Sequence, residues 1–243
     1  LRLVVGPLDL SEGELWDLVA LPYCNAGDGD GFKLSAATTE SGLATPSWET
    51  GELPLSRYSG QARFDPYGRD RTAYSAVHGW AWRGDAGWTG GAGRNEPWLR
   101  IDFYIRSPRI PADWTEAAYF RAGNLVVAQA WQPSGHVEIG ETHGYMAGST
   151  RVRTAGKALR VTPQRQPKQG NFKLQFMTEV ESATKSSELA RVAGDGWPVF
   201  FVLDPDNDTT GHETTFFGPI EASDMAKRNY DVWDRVIKIQ EML

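Results

Sequence analysis

The chain of 243 residues has one cysteine, Cys24, four histidines, and no run of apolar residues that approaches 18 in length. A single thiol excludes an intrachain disulfide framework and a thiolate metal cluster. The short apolar runs argue against insertion into a membrane by a spanning helix. A formal charge of −6 argues against nucleic acid as a partner held by overall charge. There is no Gly-x-Gly-x-x-Gly after a strand pattern, no phosphate loop and no Gly-x-Ser-x-Gly elbow, so no cofactor and no hydrolase triad are expected. No leader, internal repeat or low-complexity segment is legible.

Apolar residues make up 40% and charged residues 23%, a balance that buries a core and does not stay disordered. Ten tryptophans are an excess, which points to aromatic-faced sheets or a contact surface. Period-two alternation dominates. Leu99, Ile101, Phe103 and Ile105 alternate with Arg100, Asp102, Tyr104 and Arg106, and Phe172, Leu174 and Phe176 alternate with Lys173, Gln175 and Met177. Residues 199–203 are apolar on both faces and read as a central strand, while 235–241 alternate again. Ala155-Gly156 reads as a hairpin turn between 151–154 and 157–162. Two helices are expected. One follows the Ser11/Glu14 capping box and ends by Pro22, and the other covers 182–192 and stops at Gly194.

These elements predict a mainly β fold, a split-barrel or sandwich module with small helices plus a Trp-rich, jelly-roll-like β-sandwich insertion. Segments 1–57 and 149–243 are expected to form the barrel or assembly module. Segment 58–148, with six of the ten tryptophans, is expected to form the insertion. Tryptophan in a β domain is by default core. Trp88 and Trp98, bracketing a glycine loop, are the ones expected to be exposed for ligand contact, with a glycan as candidate.

No metal site is expected. On a strand His136 and Glu138 would share one face and Glu141 and His143 the other, which splits any ligand set. Residues 204–208 imitate the start of a calcium loop, but Thr209 and Thr215 stand where glycine and glutamate are needed. The Asp28 and Asp30 cluster reads as a turn.

Residues 151–169 hold six basic side chains and no acid, Arg151, Arg153, Lys157 and Arg160 among them. Residues 192–226 hold seven acids and no Lys or Arg, including Asp204, Asp206 and Asp208. Two solvated loops of one subunit would account for this. So would a basic hairpin arm meeting an acidic face on the next subunit, a head-to-tail contact of a homo-oligomer that closes into a ring.

Two resemblances follow from particular residues. Trp131-Gln-Pro-Ser-Gly-His-Val-Glu-Ile-Gly-Glu141 resembles the active-site strand of the laminarinase-like β-glucanases. That resemblance leaves His136 in the nucleophile's place, Glu138 for the supporting Asp, and Glu141 alone in the acid/base place, where retaining chemistry needs two carboxylates. The C-terminal third carries Gly170-Asn-Phe-Lys-Leu-Gln-Phe-Met-Thr-Glu179, then Trp197-Pro-Val-Phe-Phe-Val-Leu-Asp-Pro205, Phe216-Phe-Gly-Pro-Ile220 and Asn229-Tyr-Asp-Val-Trp233. This cadence resembles the distal tail or minor tail proteins at the tail tip of long-tailed bacteriophages. The resemblance implies a non-enzymatic, ring-forming virion component located in the tail and soluble when expressed alone. It also implies other tail proteins as partners and an outward domain able to meet a host-surface glycan.

Overall fold

The computed structural model describes residues 1–24, 29–55, 77–106, 122–134, 142–145, 150–153, 159–162, 167–194, 196–205, 214–222, 225–229 and 232–242. The fold is mainly β. The chain divides into two compact units, Leu1–Ala130 with Leu203–Thr215, and Trp131–Val202 with Phe216–Leu243.

The first unit contains β1 (Arg2–Val5), β2 (Leu18–Cys24), β3 (Gly31–Ala37), β4 (Trp48–Glu49) and β5 (Leu53–Pro54). It also contains β6 (Val77–Trp82), β7 (Trp98–Tyr104) and β8 (Val126–Ala128). One sheet has the order β1-β7-β3-β4, with β5 also on β3, and the other has the order β6-β2-β8. On β7 the expected alternation holds, with Leu99, Ile101 and Phe103 buried and their neighbours outward. Inward residues of both sheets, among them Val19, Leu21, Phe32, Leu34, Ala81 and Ile101, join one core, as two packed β layers require.

This division differs from the expected one. Strands β6 and β7 fall inside 58–148 but pair with β2 and β3, so that segment does not separate from 1–57. The helix expected after Ser11 is also absent. Glu14 does accept a hydrogen bond from the Ser11 amide at 2.7 Å, but the contact closes only a turn. Strand β2 follows, flanked by β6 and β8, and all but Tyr23 of its residues are buried. Pairing and burial on both sides outweigh the helical spacing of Leu15, Leu18 and Val19. Pro22 sits within a register shift between Leu21 and Cys24, a place where a missing amide costs no ladder bond.

In the second unit lie β9 (Thr142–Tyr145), β10 (Thr150–Arg153), β11 (Leu159–Thr162), β12 (Lys168–Met177) and β13 (Pro198–Val202). There follow β14 (Thr215–Ala222), whose first residue belongs to the other unit, β15 (Ala226–Asn229) and β16 (Val232–Gln240). Strands β10 and β11 form a two-stranded ribbon, as the hairpin reading predicted. The others form a six-stranded sheet, β13-β14-β16-β12-β9, with β15 on β16. Phe172, Leu174, Phe216, Ile237 and Ile239 point inward, and Phe172 stacks on Phe201 at 4.8 Å.

The end of the β12–β16 ladder holds a buried ion pair. Lys168 Nζ lies 3.2 Å from Glu241 Oε1, and the other carboxylate oxygen accepts from the Lys168 amide at 3.0 Å. The ammonium also sits over the Phe216 ring, 5.2 Å from its centre. Removing one member takes the counter-ion from a buried charge. Glu241→Gln should therefore lower unfolding free energy by about 3–5 kcal/mol in urea denaturation, whereas Lys168→Met with Glu241→Leu should recover most of it.

Candidate functional site

The second unit brings together the features that suit contact with another molecule. Its helical segment starts where Thr178 Oγ1 accepts the Glu181 amide, a side-chain cap at 3.2 Å. The first turn, α1 (Glu179–Glu181), passes through a π turn (Ser182–Ser186) into α2 (Ser187–Ala193). Gly194 closes it at φ 30°, the stop read from the sequence. The helix begins three residues before the expected Ser182.

Glu181 ties this first turn to the chain at 131–134. Its carboxylate accepts from the Trp131 indole at 3.1 Å, from the Ser134 amide at 2.8 Å and from the Ser134 hydroxyl. Burial pushes the carboxyl up, but the Ser134 bonds and the Trp131 bond outweigh it and hold its pKa below the ordinary glutamate value.

Around this helix the apolar side chains do not all find cover. Phe176 was expected inward. A bulge between Leu174 and Met177 gives Phe176 a φ of 60° and leaves it 57% exposed, with Met177 fully buried in its stead. Val180 and Val192 are exposed, and Trp197, whose amide bonds back to the Ala193 carbonyl, is 73% exposed. Strand β13 follows at once. It was read as central and covered on both faces. Among the described strands it stands instead at the end of the sheet, with Pro198 exposed and 199–202 only half-buried.

The outward face of the same sheet forms an open groove of about 810 Å³. Gly144, Gln169, Asn171, Pro219, Glu221, Lys238 and Gln240 line it, drawn from four adjacent strands. Gln169 is the register partner of Gln240, and Asn171 that of Lys238. Lys238 Nζ reaches the Glu221 carboxylate at 3.5 Å.

The first unit corrects the reading of its tryptophans. Trp88, expected at a ligand surface, is 4% exposed and packs with Trp16 and Trp48, ring centres 4.9–5.9 Å apart. Its indole donates to the Ala92 carbonyl, Trp48 to Thr89 and Trp16 to Glu96, so none needs an outside partner. Trp98 is half-buried on β7. Arg94 lies over Trp48 and pairs with Glu96 at 2.6 Å. Burial raises the Glu96 carboxyl, and Arg94 and Ser47 bring it below the ordinary value. Asp30 is buried and accepts the Arg106 amide at 2.7 Å, an architectural use of a turn acid.

Of the assembly residues, Arg151 and Arg153 lie on β10 and Arg160 on β11, opposite Val152. Asp204 is exposed just after β13. Lys157, Asp206, Asp208 and Glu141, with His136, Glu138 and Asp28, lie outside the described residues. Among the described residues no His, Cys, Asp or Glu cluster could hold a metal ion, and no helix is long and apolar enough to cross a membrane. No protein-family model matches the chain, and no curated protein matches it.

The Glu181 anchor has a pH signature. Its folded pKa is depressed below the usual 4.5, so its contribution is present above that value and is lost as pH falls through the folded pKa. The indole N–H resonance of Trp131, assigned with Trp131→Phe, should shift only at pH below the ordinary glutamate range. In Glu181→Gln it should be displaced at neutral pH and no longer follow that titration.

Proposed function

We propose that this chain is a non-enzymatic assembly subunit of a phage tail tip, working by oligomerisation through its second unit. The observation that carries the reading is the apolar edge at 197–202. Trp197 is 73% exposed, β13 is half-buried, and Val192 is exposed beside them at the end of the helix. Apolar groups gathered at a strand edge are a liability in a chain that stays alone and a contact surface in one that assembles. The β10–β11 ribbon adds to this. A two-stranded hairpin has little stability in water and gains it by docking, and this one carries Arg151, Arg153 and Arg160. The 192–226 stretch, with seven acids and no Lys or Arg and with Asp204 in its first-unit part, offers the complementary charge. Tail localisation and other tail proteins as partners belong to this reading; no catalytic step does.

Light scattering of the purified protein should give a defined oligomer whose dissociation constant rises roughly tenfold or more in Trp197→Ser. Arg151→Glu with Arg153→Glu should weaken it further at low salt and less so at high salt. A chain that stays monomeric at every salt concentration would remove self-assembly as its function.

A further inference from the structure

The groove on the outward face of the six-stranded sheet is lined by residues other than those the assembly reading uses. Strand alternation sends Phe172, Ile237 and Ile239 into the core and leaves Gln169, Asn171, Lys238 and Gln240 outward. Cross-strand register then sets them in two rows. Gly144, Gln169 and Gln240 make one, and Asn171, Lys238 and Glu221 the other. Neighbours across such a sheet stand about 5 Å apart and next-but-one residues along a strand about 7 Å.

We propose that this groove binds a neutral, polyhydroxylated ligand, a short stretch of glycan. Carboxamides donate and accept at once, as hydroxyls do, so three amides on one floor can hold vicinal hydroxyls in pairs. Lys238 and Glu221 add a donor and an acceptor while cancelling each other's charge, which disfavours a phosphate-bearing or otherwise strongly charged ligand. The volume of about 810 Å³ falls in the range of small-ligand sites, on the order of 300–1,000 Å³. Gly144 opens one end. A Cβ there would meet nothing within 4 Å, so the position leaves room over Gln169. Among the described residues no aromatic lines the groove, so the recognition argued from them rests on hydrogen bonds.

The test uses the whole chain. An array of neutral and acidic oligosaccharides is screened, and the best neutral binder is titrated by calorimetry against three proteins. Wild type should bind. Gly144→Trp, which fills the groove, and Asn171→Ala with Gln240→Ala, which strips its amides, should each lose roughly tenfold or more. Thermal melting and oligomeric mass should stay unchanged, which separates this proposal from the assembly reading. Absence of any neutral saccharide binding at millimolar concentration would overturn it. So would binding that survives both variants, or binding confined to acidic saccharides.

Discussion

The antiparallel pairing of β12 with β16 is the contact on which the second unit depends. It joins residues up to 73 positions apart, and its ends are fixed by Lys168 against Glu241 and by the bulge at Phe176. Because side chains alternate, one ladder creates two surfaces. Its inward rows build the core with Phe201 and Phe216, and the Arg235 guanidinium reaches from the same side to the Ser186 carbonyl, holding the helix in place. Its outward rows are the floor of the groove. Gly218 on β14 shows how tight the inner packing is, since a Cβ there would strike the Gln240 carbonyl. The groove thus rests on a rigid support.

In the first unit the governing constraint is that a buried indole must give its N–H to something. Three of the ten tryptophans meet in one cluster, and their acceptors are the carbonyls of Thr89, Ala92 and Glu96. One short segment supplies all three. Gly90 and Gly91 take positive φ values of 87° and 58°, and that freedom lets the segment turn its carbonyls back over the rings. The glycine loop beside Trp88 therefore serves the core. The same pattern in sequence reads equally well as an exposed aromatic on a mobile loop.

How much could be read beforehand followed from how local the cause was. Strand β7 and the inward rows of β16 were legible because one face meets water and the other does not. The stop at Gly194 was legible because a helix end needs a left-handed residue. The failures have a common origin in partners distant along the chain. The Ser11–Glu14 bond forms as expected, yet β6 and β8 convert the next residues to strand. Phe176 turns outward because a bulge shifts the register against β16, and no period-two count contains a bulge. The segment 58–148 carries a distinct composition, but its strands are shared with 1–57. The groove was illegible for the same reason. Gln169, Asn171, Lys238 and Gln240 were visible as the polar members of strands, and only register makes them neighbours.

The edge at β13 also bears on the symmetry of the proposed assembly. Residues 198–202 carry no charge, but Asp195 precedes them and Asp204 follows. An edge flanked in sequence by acid on both sides is a poor partner for a second copy of itself, β13 on β13. A basic segment meets no such penalty, and the ribbon of β10 and β11 is the basic segment this chain carries. Apolar contact would then supply the strength and charge the choice of partner surface. Because edge and ribbon are different surfaces, such a contact would be head-to-tail, and a head-to-tail contact leads to a closed ring or an open filament instead of a twofold pair.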